Sequence, residues 1–277
     1  MSLLLPFSLF LFLFFFLFIS IAAQSNSTYP NCPSYNCNGL NISYPFWRMA
    51  NQITTHLCGY QGFGIQCSNI NGTQRPIIAF GGDSYYVQNI SYEFSIIHLA
   101  IYDVSTIANV GNRCPRVRQC IDLQTLPFDF TPYNVNLSFH FNCTRIPTFA
   151  TPIPCFELET RKSCVNVVSL QPEDFDWGSY SCDEGVVTTV LEINVPDLDR
   201  LGTEFGGALS RGFELSWRSA EGCGKCEESN GQCGYNRITM EFMCFCSDGR
   251  TTVDHCKTKK GTWILEKYVV SKNTSLI

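Results

Sequence analysis

Residues 135–143 read Val-Asn-Leu-Ser-Phe-His-Phe-Asn-Cys, and this run carries the clearest secondary-structure signal in a chain of 277 residues. Its apolar side chains alternate with Asn136, Ser138, His140 and Asn142. A period of two is typical of a β-strand with one buried face. Asn136 and Asn142 also begin N-x-S/T glycosylation sequons, so we expect the polar face of this strand to be solvated.

Similar strand patterns recur along the chain, whereas helical periodicity is scarce and predicts one short helix at Leu198–Leu209. Strands at this density, interrupted by glycine, asparagine and proline, are typical of antiparallel sheets. The sequence therefore predicts a mostly β fold with two disulfide-rich antiparallel β modules and few short helices. The further predicted strands are Tyr85–Ser91, Ser95–Tyr102, Val186–Val195, Phe213–Arg218 and Ile238–Cys246.

The amino-terminal residues have the composition of an export signal. Leu3–Ile21 is apolar and uncharged, and Ala22 and Ala23 precede the first polar residue. This pattern predicts a secretory signal peptide at 1–23, with an uncleaved signal anchor as the alternative. No second run of about 20 apolar residues follows, so we expect no membrane span in the mature chain, including the charged tail at 257–277.

Sixteen cysteines follow the predicted leader. An even number in an exported chain predicts a disulfide framework rather than reduced thiols. The six cysteines between 223 and 256 resemble a zinc ribbon, but an oxidising compartment favours three bridges there, and we expect no metal and no cofactor. The cysteines predicted to form bridges are Cys32, Cys37, Cys58, Cys67, Cys114, Cys120, Cys143, Cys155, Cys164, Cys182, Cys223, Cys226, Cys233, Cys244, Cys246 and Cys256.

A proline-rich run at 145–154 predicts a connector between modules at 24–144 and 145–256. Seven cysteines precede this connector and nine follow it. Both numbers are odd, so complete pairing requires at least one bridge across the connector. Cys143 is the predicted crossing partner.

Seven sequons accompany the leader and the cysteines. An asparagine that carries a glycan must face solvent, and a sequon predicts glycosylation only in an exported chain. The three signals together predict a secreted, extracellular glycoprotein. The sequon asparagines are Asn26, Asn41, Asn71, Asn89, Asn136, Asn142 and Asn273.

Charge and motifs exclude several classes of function. Residues 24–143 contain five arginines and five acidic side chains, and no basic stripe indicates nucleic-acid binding. No H-E-x-x-H, G-x-S-x-G or protein-kinase motif set occurs, and His98 and His140 fall within predicted strands. Acidic pairs such as Asp174 and Asp176, two residues apart, are more typical of turns than of the two carboxylates that a glycoside hydrolase uses. We therefore predict a binding protein rather than an enzyme.

Three arginines crowd the run Arg-Cys-Pro-Arg-Val-Arg-Gln-Cys at 113–120, where two cysteines could pin a loop. The guanidinium fork matches carboxylates, so this run predicts a site for an acidic polymer, with scattered surface charge as the alternative. Aromatic rings earlier in the chain offer flat faces to sugars or peptides. The predicted ligand-binding residues are Arg113, Arg116, Arg118, Arg48, Trp47 and Tyr60.

Several motifs resemble those of plant wall-associated receptor kinases. Cys32-x4-Cys37-Asn-Gly, Ile42-Ser-Tyr-Pro-Phe-Trp47 and Phe63-Gly-Ile-Gln-Cys67 resemble their galacturonan-binding module. Gly212-Phe-Glu-Leu-Ser-Trp217 and Cys223-x-x-Cys226, with Phe242-Met-Cys-Phe-Cys246, resemble the cysteine-rich module that accompanies it. The combination is similar to ectodomains of receptor-like kinases related to the leaf-rust-resistance locus.

The resemblance implies a plant ectodomain of the apoplast or cell wall that binds pectic galacturonan. The alternative is a receptor ectodomain for a protein or peptide ligand in defence signalling. Receptors of this kind are single-pass plasma-membrane proteins with a cytoplasmic serine/threonine kinase domain. Because this chain has no kinase motif set, we expect either a soluble form or a truncated version of such a receptor.

Overall fold

The computed structural model describes residues 32–49, 56–80, 82–101, 114–115, 117, 119, 121–157, 160–236 and 238–256. The predicted leader and tail lie outside these ranges. Within them the chain is mostly β, with two α-helices and short 3-10 turns, as predicted. The helices are α1 (Leu198–Arg211) and α2 (Gly224–Glu228). The strands are β1 (Tyr35–Cys37), β2 (Leu40–Ile42), β3 (Trp47–Arg48), β4 (His56–Cys58), β5 (Gly64–Ile70), β6 (Thr73–Phe80), β7 (Asp83–Ser91), β8 (Ile96–Ile101), β9 (Phe128–Phe130), β10 (Asn134–Cys143), β11 (Thr151–Pro152), β12 (Lys162–Val167), β13 (Glu184–Leu191), β14 (Phe213–Trp217), β15 (Gly231–Asn236), β16 (Phe242–Cys246) and β17 (Thr251–Thr252).

The largest sheet has seven strands in the order β3-β5-β6-β7-β8-β14-β9. Its neighbours are antiparallel except for the short parallel pair β3–β5. Strand β14 lies between β8 and β9, with Leu215 opposite both Ile97 and Phe130. A strand from the carboxy-terminal half of the chain therefore continues the sheet that the amino-terminal half begins.

The other large sheets also mix distant segments. One has the order β11-β12-β10-β13, and the other has the order β17-β16-β15-β4. In the second of these, Cys58 of β4 lies opposite Gly234 of β15. The predicted division between residues 144 and 145 therefore does not coincide with a boundary between sheets.

Aromatic side chains from both halves of the chain meet in the core. Phe63 stacks on Phe128 with ring centroids 4.5 Å apart, and Phe46 meets Trp217 edge-on at 5.0 Å. Burial of large aromatic side chains contributes much of the free energy of folding in a core of this kind. The two halves are therefore joined by packing as well as by strand pairing.

Helix α1 forms where the sequence predicted a helix and covers the same core. Its buried residues recur at positions i, i+4, i+7 and i+8, which places Leu201, Phe205, Ala208 and Leu209 on one face. The ring of Phe205 meets Phe139 of β10 at a centroid distance of 5.2 Å. The exposed face adds ion pairs of the kind that contribute little to stability in water.

The middle of the polar face of β10 is covered by protein, which corrects our expectation that the whole face is solvated, whereas Asn136 near one end is exposed. Ser138 and His140 are 5% and 8% exposed. The indole of Trp177 stacks on the His140 ring with centroids 3.3 Å apart, and Phe175 packs beside the indole at 5.1 Å. β10 is a central strand, paired with β12 and β13. The segment that follows β12 folds back over the second face of β10 and places Trp177 on His140.

Disulfide bridges hold the covering segment against β10 and cross-link the carboxy-terminal cysteine cluster. The bridge Cys143–Cys182 ties the covering segment to β10 and crosses the proline-rich connector, as predicted for Cys143. The cluster between 223 and 256 forms three bridges, so its sulfurs are not thiolates that could ligate zinc. The bridges are Cys32–Cys58, Cys37–Cys67, Cys114–Cys155, Cys143–Cys182, Cys223–Cys233, Cys226–Cys244 and Cys246–Cys256.

One cysteine has no bridge among the described residues. Cys164 is fully buried in β12 and has no disulfide partner in the described part of the chain. It lies opposite His140 on one side and Pro152 on the other, so neither neighbouring strand presents a cysteine to it. Cys120, also predicted to be bridged, lies outside the described residues.

The remaining strand predictions hold apart from their ends. The strand predicted from Ile238 begins at Phe242, because Asn236 Oδ1 accepts hydrogen bonds from the backbone N–H groups of Ile238 and Thr239 and forms a turn. None of the helices in the described ranges has the length and apolarity needed to cross a bilayer.

Candidate functional site

A groove opens where the ladder between β6 and β7 ends. These strands pair from Phe80 opposite Asp83 to Ile77 opposite Tyr86. Beyond that point β6 continues to pair with β5, and β7 continues to pair with β8. The groove between the separated strands has a volume of about 550 Å³. We call it the splayed-strand groove; it is lined by Cys37, Asn38, Gly39, Leu40, Gln74, Arg75, Pro76, Tyr86, Val87, Gln88, Asn89 and Ala100.

Arg75 is the charged residue in this lining. Its guanidinium lies over the ring of Tyr86, 5.3 Å from the centroid, and the Tyr86 side chain is buried. A cation over an aromatic face is held by electrostatic attraction to the ring. The side chain of Arg75 is exposed. Tyr86 therefore orients a guanidinium whose fork can bind a carboxylate.

Amide side chains surround Arg75. Gln88 Nε2 donates a hydrogen bond to the Ser210 carbonyl at 3.2 Å, which fixes one wall of the groove to helix α1. Asn36 Oδ1 accepts from Gly39 N at 2.8 Å and shapes the β1–β2 turn at the groove edge. Exposed amides of Asn38 and Gln74 can both donate and accept, as sugar hydroxyls require. The arrangement suits a ligand that carries hydroxyls and a carboxylate.

The three candidates Arg48, Trp47 and Tyr60 do not line this groove. The exposed Arg48 has its guanidinium 5.6 Å from the centroid of the Tyr35 ring. Trp47 serves packing, because a Cβ on Gly59 or Gly64 would lie 2.6 or 2.8 Å from atoms of its indole. Its Nε1 donates to the Tyr60 carbonyl at 2.9 Å.

Tyr60 is buried in the core, at the wall of another groove of about 990 Å³. It is 5% exposed, and its hydroxyl donates to Glu227 Oε1 of helix α2. Burial, followed by this hydrogen bond to Glu227, raises the pKa of Tyr60 to about 12. Tyr44 donates to the same carboxylate oxygen, and burial raises its pKa as well. Both phenols therefore stay protonated and act as donors.

Arg113, Arg116 and Arg118 lie outside the described residues, but their neighbours line a second groove of about 1120 Å³. We call it the acidic groove, because the charged residues in its described lining are Asp83, Asp122, Glu157 and Glu184. Aromatic and aliphatic side chains, including Phe80, Phe141 and Phe156, form the rest of the wall. The charged side chains in the described lining are therefore all negative.

Sequons are distributed over the surface. The side chains of Asn41, Asn71, Asn89 and Asn136 are exposed, and Asn142 is half-buried. Asn26 and Asn273 lie outside the described residues. Exposure is the condition for carrying a glycan, so glycosylation at the four exposed sites stays a prediction that the structure permits.

Sequence reasoning missed Arg75. It lies in a strand that was not predicted from an alternating pattern, whereas Arg113, Arg116 and Arg118 lie close together in the sequence. The signal that could have found it is its position: Arg75 and Arg48 are the two arginines between residues 32 and 101, the segment that resembles a galacturonan-binding module. Its neighbour Tyr86 comes from another strand, and that contact depends on strand register.

Two protein-family models match the chain. The model described as wall-associated receptor kinase galacturonan-binding matches residues 32–101, and the model described as wall-associated receptor kinase C-terminal matches residues 154–249. These matches confirm the resemblance deduced from the motifs. Neither matched family is a kinase catalytic domain, and both are ectodomain families, which fits an extracellular location.

Curated relatives come from Arabidopsis thaliana. The chain is 29% identical over 269 residues to leaf rust 10 disease-resistance locus receptor-like protein kinase-like 1.2, covering 93% of this chain and 39% of that relative. It is 25% identical over 232 residues to the protein kinase-like 2.1 of the same series, covering 78% of this chain and 33% of the relative. The chain thus spans less than half of each relative. No solved structure gives a significant match.

Proposed function

We propose that this chain, built as a receptor ectodomain, is exported and glycosylated and binds pectic galacturonan at the splayed-strand groove. The main support for this proposal is that every residue lining this groove falls within 32–101, the segment that matches the galacturonan-binding family. The acidic groove and two further grooves contain acidic side chains and lie wholly or partly outside that segment.

The chemistry of the groove supports an acidic sugar. Galacturonate presents a carboxylate and ring hydroxyls, which pair with the Arg75 fork and with the amides of Asn38 and Gln74. Because Tyr86 already holds the guanidinium in place, less side-chain freedom is lost when the carboxylate binds. The arginine run at 113–120 stays a proposal for a second contact with the same polymer.

Binding of the purified ectodomain to immobilised homogalacturonan tests this function. De-esterified polymer should bind and fully methyl-esterified polymer should bind weakly, because the ester removes the charge that Arg75 recognises. Affinity for the de-esterified polymer should fall as salt is raised, since the contact lies at the surface. Equal binding to both polymers, or no binding to either, would contradict the proposal.

Variants locate the site. Arg75→Ala should weaken binding roughly tenfold, the loss of about one charge-assisted contact. Arg75→Lys keeps the charge without the fork and should recover part of the affinity. Arg200→Ala removes an exposed cation on α1 and serves as the matched control. Full affinity in Arg75→Ala with a loss in Arg48→Ala would move the site to the Tyr35 face.

The acidic groove favours a second candidate function, the binding of a peptide ligand. Its four carboxylates and aromatic wall are complementary to a basic peptide with apolar side chains. The test is titration of the ectodomain with a labelled peptide of alternating lysine and leucine. Glu184→Gln together with Asp122→Asn should abolish binding if this groove accepts such a ligand, and unchanged affinity would exclude it.

A further inference from the structure

Asn89 has two roles in this chain. It lines the splayed-strand groove, and it begins the sequon Asn89-Ile90-Ser91. Its side chain is exposed, so its amide nitrogen is open to carry an N-glycan. Among the sequons in the described part of the chain, the others do not contribute to this lining.

A glycan on Asn89 would start from a residue that lines the groove. Asn89 follows Tyr86 by three residues along β7, about 10 Å at the rise of a strand. Tyr86 is the residue that supports Arg75. The wall across the gap is formed by Gln74–Pro76 of β6. A glycan that starts on Asn89 therefore begins on one wall of a groove of about 550 Å³ and reaches into the space that a ligand must enter.

We propose that the N-glycan on Asn89 gates the splayed-strand groove and lowers its affinity for galacturonan. This inference rests on the proposed function, since it concerns the same site. The glycan and the polysaccharide compete for one volume, so only molecules whose glycan lies aside can bind. The apparent affinity then falls in proportion to the fraction of molecules that are open. Removal of the glycan restores the full fraction.

Substitutions in two sequons test the gate. Ser91→Ala removes the Asn89 sequon without altering a groove residue, and Asn89→Gln removes it by a second route. Ser91→Thr keeps the sequon and controls for the change at position 91. Thr73→Ala removes the sequon of Asn71, an exposed turn residue outside the lining, and controls for the loss of a glycan elsewhere. All proteins are secreted from a host that adds N-glycans, and mass spectrometry measures occupancy at each site.

The measured quantity is the affinity for de-esterified oligogalacturonide. We expect Ser91→Ala and Asn89→Gln to bind roughly tenfold more tightly than the wild type, if about one molecule in ten is open with the glycan present. Ser91→Thr and Thr73→Ala should bind as the wild type does. Binding by Ser91→Ala alone, with none by the wild type, would also support the gate.

Two results overturn the inference and leave the proposed function intact. One is an Asn89 that carries no glycan in a wild type that binds the oligogalacturonide. The other is unchanged affinity in Ser91→Ala. If neither the wild type nor either variant lacking the Asn89 sequon binds the oligogalacturonide, the proposed function itself is wrong and the gate is wrong with it.

Discussion

Tyr60 donates a hydrogen bond to Glu227, a residue 167 positions further along the chain. Ser219 donates to the other carboxylate oxygen of Glu227 at 2.8 Å, and Tyr44 donates to the same oxygen as Tyr60. Glu227 belongs to helix α2 and is half-buried. One carboxylate of the carboxy-terminal segment thus holds two phenols of the segment that matches the galacturonan-binding family.

We expect Glu227→Ala to lower the free energy of unfolding by about 2–3 kcal/mol, because it leaves two partly buried phenol donors without their acceptor. Tyr60→Phe should lower it by about 1 kcal/mol, since it removes one donor and leaves no group unpaired. Glu228→Ala, next on the same helix and exposed, is the control and should change little. Urea unfolding of each variant measures the effect. Equal stabilities for the Glu227 and Glu228 variants would contradict this role.

Two glycines of helix α1 should respond oppositely to alanine. A Cβ on Gly202 would lie 1.8 Å from the Pro152 carbonyl oxygen, whereas a Cβ on Gly207 meets nothing within 4 Å. Gly202→Ala should destabilise the fold by about 1–3 kcal/mol through overpacking. Gly207→Ala should stabilise it by about 0.5–1 kcal/mol through helix propensity. Thermal unfolding decides, and a stabilised Gly202→Ala would contradict the contact with β11.

The buried His140 should make stability depend on pH. Burial lowers its pKa to about 4, against about 6.5 in the unfolded chain. The unfolded state therefore binds the proton first as the solution is acidified. This contribution is fully present above about pH 6.5 and is lost between about pH 6.5 and pH 4, by on the order of 3 kcal/mol.

His140→Gln isolates that contribution. It can retain the hydrogen bond with Ser138, whose Oγ is 2.8 Å from His140 Nε2, and it does not titrate. We expect the variant to lose less stability than the wild type between about pH 7 and about pH 4.5 in denaturant titrations. Parallel losses in the two proteins would show that His140 is not held neutral.

The side chain of Cys164 should not react with alkylating reagents in the native protein. Burial raises its pKa to about 12 and no part of it is exposed, so neither thiolate nor access is present at neutral pH. Iodoacetamide should leave the native protein unlabelled at Cys164 and label it after denaturation without reductant. Labelling of Cys164 in the native state would contradict its burial.

Local patterns predicted much of the fold. The alternation in β7, β10 and β14 fixed those strands, and the i, i+4 pattern of Leu201 and Phe205 fixed helix α1. Cysteine parity was enough to predict that at least one bridge crosses the connector, and two do, Cys114–Cys155 and Cys143–Cys182. These features depend on neighbours in sequence or on counting, so they need no knowledge of tertiary structure.

Long-range register could not be predicted in the same way. The alternation of β10 assigned His140 to a separate face but did not reveal that Trp177 covers that face. Likewise, nothing in β6 alone shows that its ladder with β7 ends at Ile77. The groove and its Arg75–Tyr86 pair arise from where that ladder stops, which is a property of several strands together.

Strand β14 has a practical consequence for grafting the splayed-strand groove onto another protein. A fragment limited to residues 32–101 would leave one edge of β8 unpaired and Phe46 without Trp217. An unpaired strand edge promotes aggregation. The transplantable unit must therefore include residues 128–130 and 213–217, and hence the intervening chain. We therefore expect chimeras that end at residue 101, where the family match ends, to misfold, and chimeras that contain every strand of the seven-stranded sheet to fold.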